Sequence, residues 1–204
     1  MDTKKSKSSK KQMPNTNFEK PDKIIEQAIK LLKTGKVDEA EKKFKEISKE
    51  YPDIVQPYIG LGNIYSIKKD SKKAIEFYQK ALDIEPSTEV YSNIGALYFI
   101  RGDKKKAENF FHSAIAMDDN NICAKKNLAD VYFELGKYEQ AIPLYEAGLL
   151  KQPEVGSLIA LANCYFKMGK YESAKIGYEK VLKVEPDNKT AKENLKIVNK
   201  ELEK

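Results

Sequence analysis

One alanine recurs along this 204-residue chain at Ala40, Ala74, Ala107, Ala141 and Ala174, at spacings that alternate between 34 and 33. Other positions keep the same beat. Leu31, Tyr65, Tyr98, Tyr132 and Tyr165 form one series, and Phe44, Tyr78, Phe111, Tyr145 and Tyr178 another. Small residues recur at Ala28, Gly62, Gly95, Ala129 and Ala162. Prolines close the units at Pro52, Pro86, Pro153 and Pro186, where the third unit has Asp119 instead. Self-similarity at this period is the mark of a repeat array, and it constrains the fold more than any local motif. Within each unit the apolar residues step by three and four, twice, around a short turn. Gly35, Gly102, Gly136 and Gly169 mark that turn, and the second unit has Lys69 there. Each unit therefore reads as helix A, turn, helix B.

These positions resemble the tetratricopeptide signature. The second unit shows it as Leu61-Gly62, Tyr65, Ala74, Tyr78, Ala81 and Pro86, and the third as Ile94-Gly95, Tyr98, Ala107, Phe111 and Ala114. The fourth and fifth match with Leu128-Ala129 and Leu161-Ala162 at the start. The first is the weakest copy, with Gln27 where Leu is usual. The resemblance implies an all-α, right-handed α-solenoid of five helical hairpins. We expect units at 21–54, 55–87, 88–121, 122–154 and 155–187, after a tail at 1–20 and before a capping helix at 188–204.

The residue types suit that architecture. Small residues at the Gly62 and Ala74 positions let helices A and B approach, and the aromatics fill the space between hairpins. A hairpin cannot bury its apolar face alone, so stacking makes the core continuous. Each closing proline ends helix B; Asp118-Asp119-Asn120-Asn121 is expected to end it in unit three, because Asp and Asn cap helices. Pro143, a turn into helix B of unit four, predicts a kink or a late helix start. At the C-terminus, Ala191, Leu195, Val198 and Leu202 form a narrow apolar stripe for docking on the fifth hairpin, with a charged outer face.

The chain offers little for catalysis. Its single histidine, His112, falls on a helix B, and carboxylates pair with Lys three or four residues away, as in Glu41–Lys45 and Glu76–Lys80. No phosphate-binding, dinucleotide-binding, HExxH or CxxC motif is present. We expect no enzyme activity, cofactor or metal. Cys123 and Cys164 read as buried or half-buried fillers. No run of apolar residues is long enough for a transmembrane helix, and no secretion signal or myristoylation pattern opens the chain, so the expected location is the cytoplasm. Residues 1–20 hold six lysines against Asp2 and Glu19, most of the net charge of +6. Arg101 is the sole arginine, which argues against reading of phosphates and bases by Arg forks.

Binding of another protein, as a peptide or helix segment, is then the expected function. The resemblance places helix A of each unit on a concave surface, with the fifth, ninth, twelfth and thirteenth positions inward. Units one to three present Ile25, Ile29, Leu32, Ile59, Asn63, Ile67, Phe99 and Ile100, with Ser92 among them. Units four and five present Lys126, Asp130, Phe133, Glu134, Ile159, Asn163, Phe166 and Lys167. One half of the groove is apolar and the other mixed. Some apolar residues have a second reading, as surface covered by the tail through Phe18 or by a second copy, which makes a self-assembling, homo-oligomeric scaffold on a membrane or organelle surface an alternative. Lys126, Asn163, Lys192 and Lys196 resemble a clamp that holds a partner's C-terminal carboxylates, but Asp130 stands where that clamp has Asn. In the tail, Lys4, Lys5, Lys7, Lys10 and Lys11 read as a disordered basic arm. It serves as a solubilising extension, or docks weakly and salt-sensitively to an anionic membrane or nucleic acid. No aromatics interleave with these lysines, so base stacking has no support.

Overall fold

The computed structural model describes residues 20–204. The five tail lysines and Phe18 lie outside the described residues. The described residues form eleven α-helices and no strand. Hairpin one is α1 (Pro21–Lys33) with α2 (Val37–Glu50), and hairpin two is α3 (Gln56–Ile67) with α4 (Ser71–Ile84). Hairpin three pairs α5 (Thr88–Ile100) with α6 (Lys104–Met117), and hairpin four α7 (Ile122–Glu134) with α8 (Tyr138–Lys151). Hairpin five is α9 (Val155–Lys167) with α10 (Tyr171–Val184), and α11 (Lys189–Leu202) follows it.

The turn inside each hairpin has one geometry. In hairpin two the Lys69 N–H donates to the Ser66 carbonyl (3.0 Å) and the Asp70 N–H to the Tyr65 carbonyl (2.9 Å). This is a Schellman motif, whose closing residue takes positive φ. Gly35, Gly102, Gly136 and Gly169 occupy that position at φ between 72° and 82°, and Lys69 occupies it at φ 59°. Asp70 and Asp103 then cap α4 and α6 by accepting from the N–H of Lys73 and Lys106. The junction without proline is also capped. The Asn121 side chain accepts from the Ala124 N–H at 2.8 Å, and Asp118 accepts from the Asn120 N–H at 2.9 Å.

Packing follows the alanine beat. All five recurring alanines are fully buried between A and B helices. At Gly62 a methyl group would meet the Tyr78 ring at 2.4 Å, so α3 and α4 touch there as no larger residue allows. Phe44, Tyr78, Phe111, Tyr145 and Tyr178 are each buried in the core. Each hairpin packs on the next, and α1 with α3, α5 with α7 and α7 with α9 also touch directly. The A helices thus form the inner layer. α11 lies on α10, burying Ala191 and Val198 against a cluster with Tyr178 and Val181.

Two local expectations change. α8 begins at Tyr138, in step with the other B helices, so Pro143 does not delay it. Pro143 is exposed, and the carbonyl of the exposed Glu139 that loses its donor has water to replace it. Cys123 is exposed, whereas Cys164 is buried and its thiol is pushed up to about 12 by burial, which leaves it unreactive.

Candidate partner-binding groove

The inner layer carries two clefts. The first, of about 410 Å³, lies between α3 and α5 and is lined by Asn63, Ser66, Ile67, Asn93, Ala96, Leu97 and Ile100, with Tyr78 at its base. Ile67 and Ile100 occupy the last turns of consecutive A helices and are 61% and 77% exposed. The second, of about 210 Å³, is lined by Phe133, Asn163, Phe166, Lys167, Tyr178, Asn194 and Ile197. It lies where α7, α9 and α11 come together.

A repeated hydrogen bond sets the floor of the groove. The Tyr78 hydroxyl donates to Asn63 Oδ1 (2.5 Å), Tyr145 to Asp130 Oδ1 (2.6 Å) and Tyr178 to Asn163 Oδ1 (2.5 Å). Each pair is fifteen residues apart, one partner on helix A and one on helix B. Where helix B carries Phe44 or Phe111, the position fifteen earlier is apolar, Ile29 or Ala96. A buried phenol needs an acceptor and a buried phenyl does not, so the two positions change together. Asn63 and Asn163 thus have their carbonyl oxygens engaged. Asn194 adds to the second cleft, donating to Asn163 Oδ1 (3.2 Å) and Tyr178 Oη (3.4 Å).

Charges are unevenly settled. Asp130 is half-buried, and burial holds its carboxyl above the usual carboxylate range, opposed by the Tyr145 hydroxyl and Lys126. The same burial, with Asp130 alongside, pushes the Tyr145 hydroxyl upward. Lys126 turns away to Glu154 (2.7 and 2.8 Å) and lines a separate cleft with Ile122, Cys123 and Ser157. Lys192 pairs with Asp187 at 3.0 Å. The clamp-like set is therefore not assembled: Lys126 and Lys192 are committed elsewhere, and neither lines the cleft that holds Asn163.

Of the other residues expected in the groove, Ile25 is only 6% exposed and belongs to the core of hairpin one with Phe44 and Leu61, so it offers no surface to a partner. Leu32, Ile59, Phe99 and Ile159 are half-buried, each packed on a core cluster, and Ile29 is exposed. Glu134 is held by Lys104, which donates to its carbonyl (2.9 Å) and its carboxylate (3.2 Å). The Ser92 hydroxyl is buried with no hydrogen-bond partner among the described residues. Asn93, Asn194 and Ile197 were not expected in the groove. Asn93 lies one residue beyond the inward register of α5, and α11 reads in sequence as a solubilising cap. His112, on the outer layer, lies 3.0 Å from the Tyr132 hydroxyl.

Comparison with known proteins agrees with this geometry. Tetratricopeptide repeat family models match residues 98–160 in one case and 55–87 and 157–188 in another, together more than half of the chain. Among solved structures, YrrB, described as a TPR protein with an unusual peptide-binding site, is similar at TM-score 0.77 and 19% identity, over 88% of this chain and 94% of that one. MamA is similar at TM-score 0.73 and 25% identity, over 78% and 94%. A tetratricopeptide repeat protein from Parabacteroides merdae is similar at TM-score 0.76 and 18% identity, over 89% and 73%. No curated protein matches the sequence. With its hairpins in register, its turns of one kind and its repeats matched by these models, the chain belongs to the tetratricopeptide repeat family.

Proposed function

We propose that this protein is a non-catalytic scaffold that holds a segment of another protein, an extended peptide or a helix, in the concave groove of its A helices. The observation that carries this reading is the pair Ile67 and Ile100, two large apolar side chains left mostly bare on adjacent helices. They share a cleft with Asn63, Ser66 and Asn93, which supply hydrogen-bonding groups at its wall. Apolar anchors ringed by amides and hydroxyls suit a polypeptide, which has side chains to bury and a main chain to satisfy. Each anchor that a partner covers contributes about 1.5–3 kcal/mol before the costs of association.

Site-directed photo-cross-linking tests the reading. A benzophenone amino acid replaces Ile100 in one sample and Ile176, an exposed residue on the outer helix α10, in another. We expect discrete protein adducts from position 100 and none from 176. Equal adducts from both, or none from position 100, would remove the groove as the site.

A further inference from the structure

Resting on the groove reading, we propose that the segment held in the second half of the groove carries a lysine or arginine that seats on Asp130. A large apolar residue beside it enters the cleft of Phe133, Phe166 and Ile197.

Asp130 does not need to be a carboxylate for the fold. Its counterparts under Tyr78 and Tyr178 are Asn63 and Asn163, and both satisfy the phenol at 2.5 Å. The fold therefore asks only for an acceptor, and an amide serves. A carboxylate at this half-buried site adds a charge that the fold must desolvate and that the Tyr145 bond does not require. Asp130 Oδ1 takes that bond, and the side chain has no ion pair among the described residues. The nearest cation along α7, Lys126, is bound through both carboxylate oxygens of Glu154. The other acid of that helix, Glu134, already has Lys104. Asp130 is thus the carboxylate of the described groove residues with no cation bound to it.

The surroundings suit a cation with an apolar neighbour. Phe133, one turn along α7, shares the face of Asp130, and it also walls the cleft that continues to Phe166, Ile197 and the Asn194 amide. Aromatic faces beside a carboxylate stabilise a cation by the ring quadrupole as well as by charge. Lys167, at the last turn of α9, is exposed and also lines this cleft. A segment with a cation next to an apolar residue complements the acid and the cleft together. Neighbouring packed helices lie about 8–10 Å apart. Two to four residues of extended chain span about 7–14 Å, so one short segment reaches from Asp130 into the cleft.

Selection of a random twelve-residue peptide library on the immobilised full chain, followed by fluorescence anisotropy of the selected sequences, tests this. We expect enrichment of Lys or Arg two to four residues from Leu, Ile, Met or Phe. Replacing that Lys by Gln should weaken binding about tenfold. Asp130→Asn, which keeps the acceptor for Tyr145, should abolish the preference for Lys over Gln while leaving apolar-anchored binding and thermal stability in place. Phe166→Ala should weaken all selected peptides alike. If peptides bind and lose affinity with Phe166→Ala, but Asp130→Asn leaves the Lys preference unchanged, the cation site is overturned and the groove reading stands. If no peptide is selected, or binding ignores Phe166→Ala, the groove reading falls and this inference with it.

Discussion

Lys69 is the residue at which this sequence departs most visibly from its own pattern. The other four hairpins place glycine at positive φ, where a side chain crowds the following carbonyl, and Lys69 takes the same backbone at φ 59°. We expect Lys69→Gly to stabilise the protein by about 0.5–1 kcal/mol, the relief of that crowding less the entropy glycine gains when unfolded. A urea titration measures it, and an unchanged or lower midpoint contradicts the account. The turn was legible in the sequence even without its glycine, because the flanking beat fixed where it had to fall. The groove residues were less so. Ile25 occupies an inward register position, yet hairpin two packs over it with Leu61 and Ile64. Lys126 has a long flexible side chain, and its direction is set by Glu154, which a positional rule does not see. The Tyr–Asn pairs were present in the sequence as covariation between positions fifteen apart, a signal visible once both helices are compared instead of helix A alone.

Between elements, the polar contacts concentrate where one hairpin meets the next. Glu41 on α2 accepts from the Tyr65 hydroxyl (2.7 Å) on α3, pairs with Lys45 (2.6 Å) and is reached by Lys68 (2.6 Å), which also binds Asp38. Lys45 and Lys68 hold the Glu41 carboxyl down to about 2. A carboxyl depressed on folding contributes stability that is fully present above its unfolded value of 4.5 and is lost as pH falls toward 2. Discounted for the solvent around its lysine partners, the contribution is about 2 kcal/mol. We therefore expect Glu41→Gln to lower stability at pH 7 by about that amount and to flatten its decline between pH 5 and pH 2. Chemical denaturation at several pH values measures both, and an unaltered acid slope in the variant would show that Glu41 is not responsible. The run from Glu41 to Glu76 was readable as i,i+4 helix pairs, as the Lys45 and Lys80 contacts bear out. The link across hairpins was not, because Lys68 lies 27 residues from Glu41.

At the scale of the whole molecule, a repeat array is held by nearest neighbours, so its ends matter more than in a domain with one centre. α11 packs on α10 at the end of the array, and Leu195 and Leu202 pack with Val181 and Tyr178 beneath it. Removing residues 188–204 should cost about 3 kcal/mol and leave that apolar face bare. Thermal melting followed by circular dichroism, with light scattering for association, checks this, and a truncated chain that melts like the full one and stays monomeric would count against it. Asn194 and Ile197 leave with the helix, so the second cleft is lost at the same time. No helix of the described residues is long and apolar enough to cross a membrane. The alternation of Tyr–Asn with Phe–apolar pairs has a consequence for how such a chain changes over generations. Both members of every such pair belong to one hairpin, so the gene is divisible between hairpins without parting Tyr78, Tyr145 or Tyr178 from its acceptor. Gain or loss of a whole 33- or 34-residue unit leaves each pair intact, whereas exchange of a single helix between units one and two would set Ile29 against Tyr78 and strand its hydroxyl. The hairpin, and not the helix, is the smallest piece this protein inherits safely.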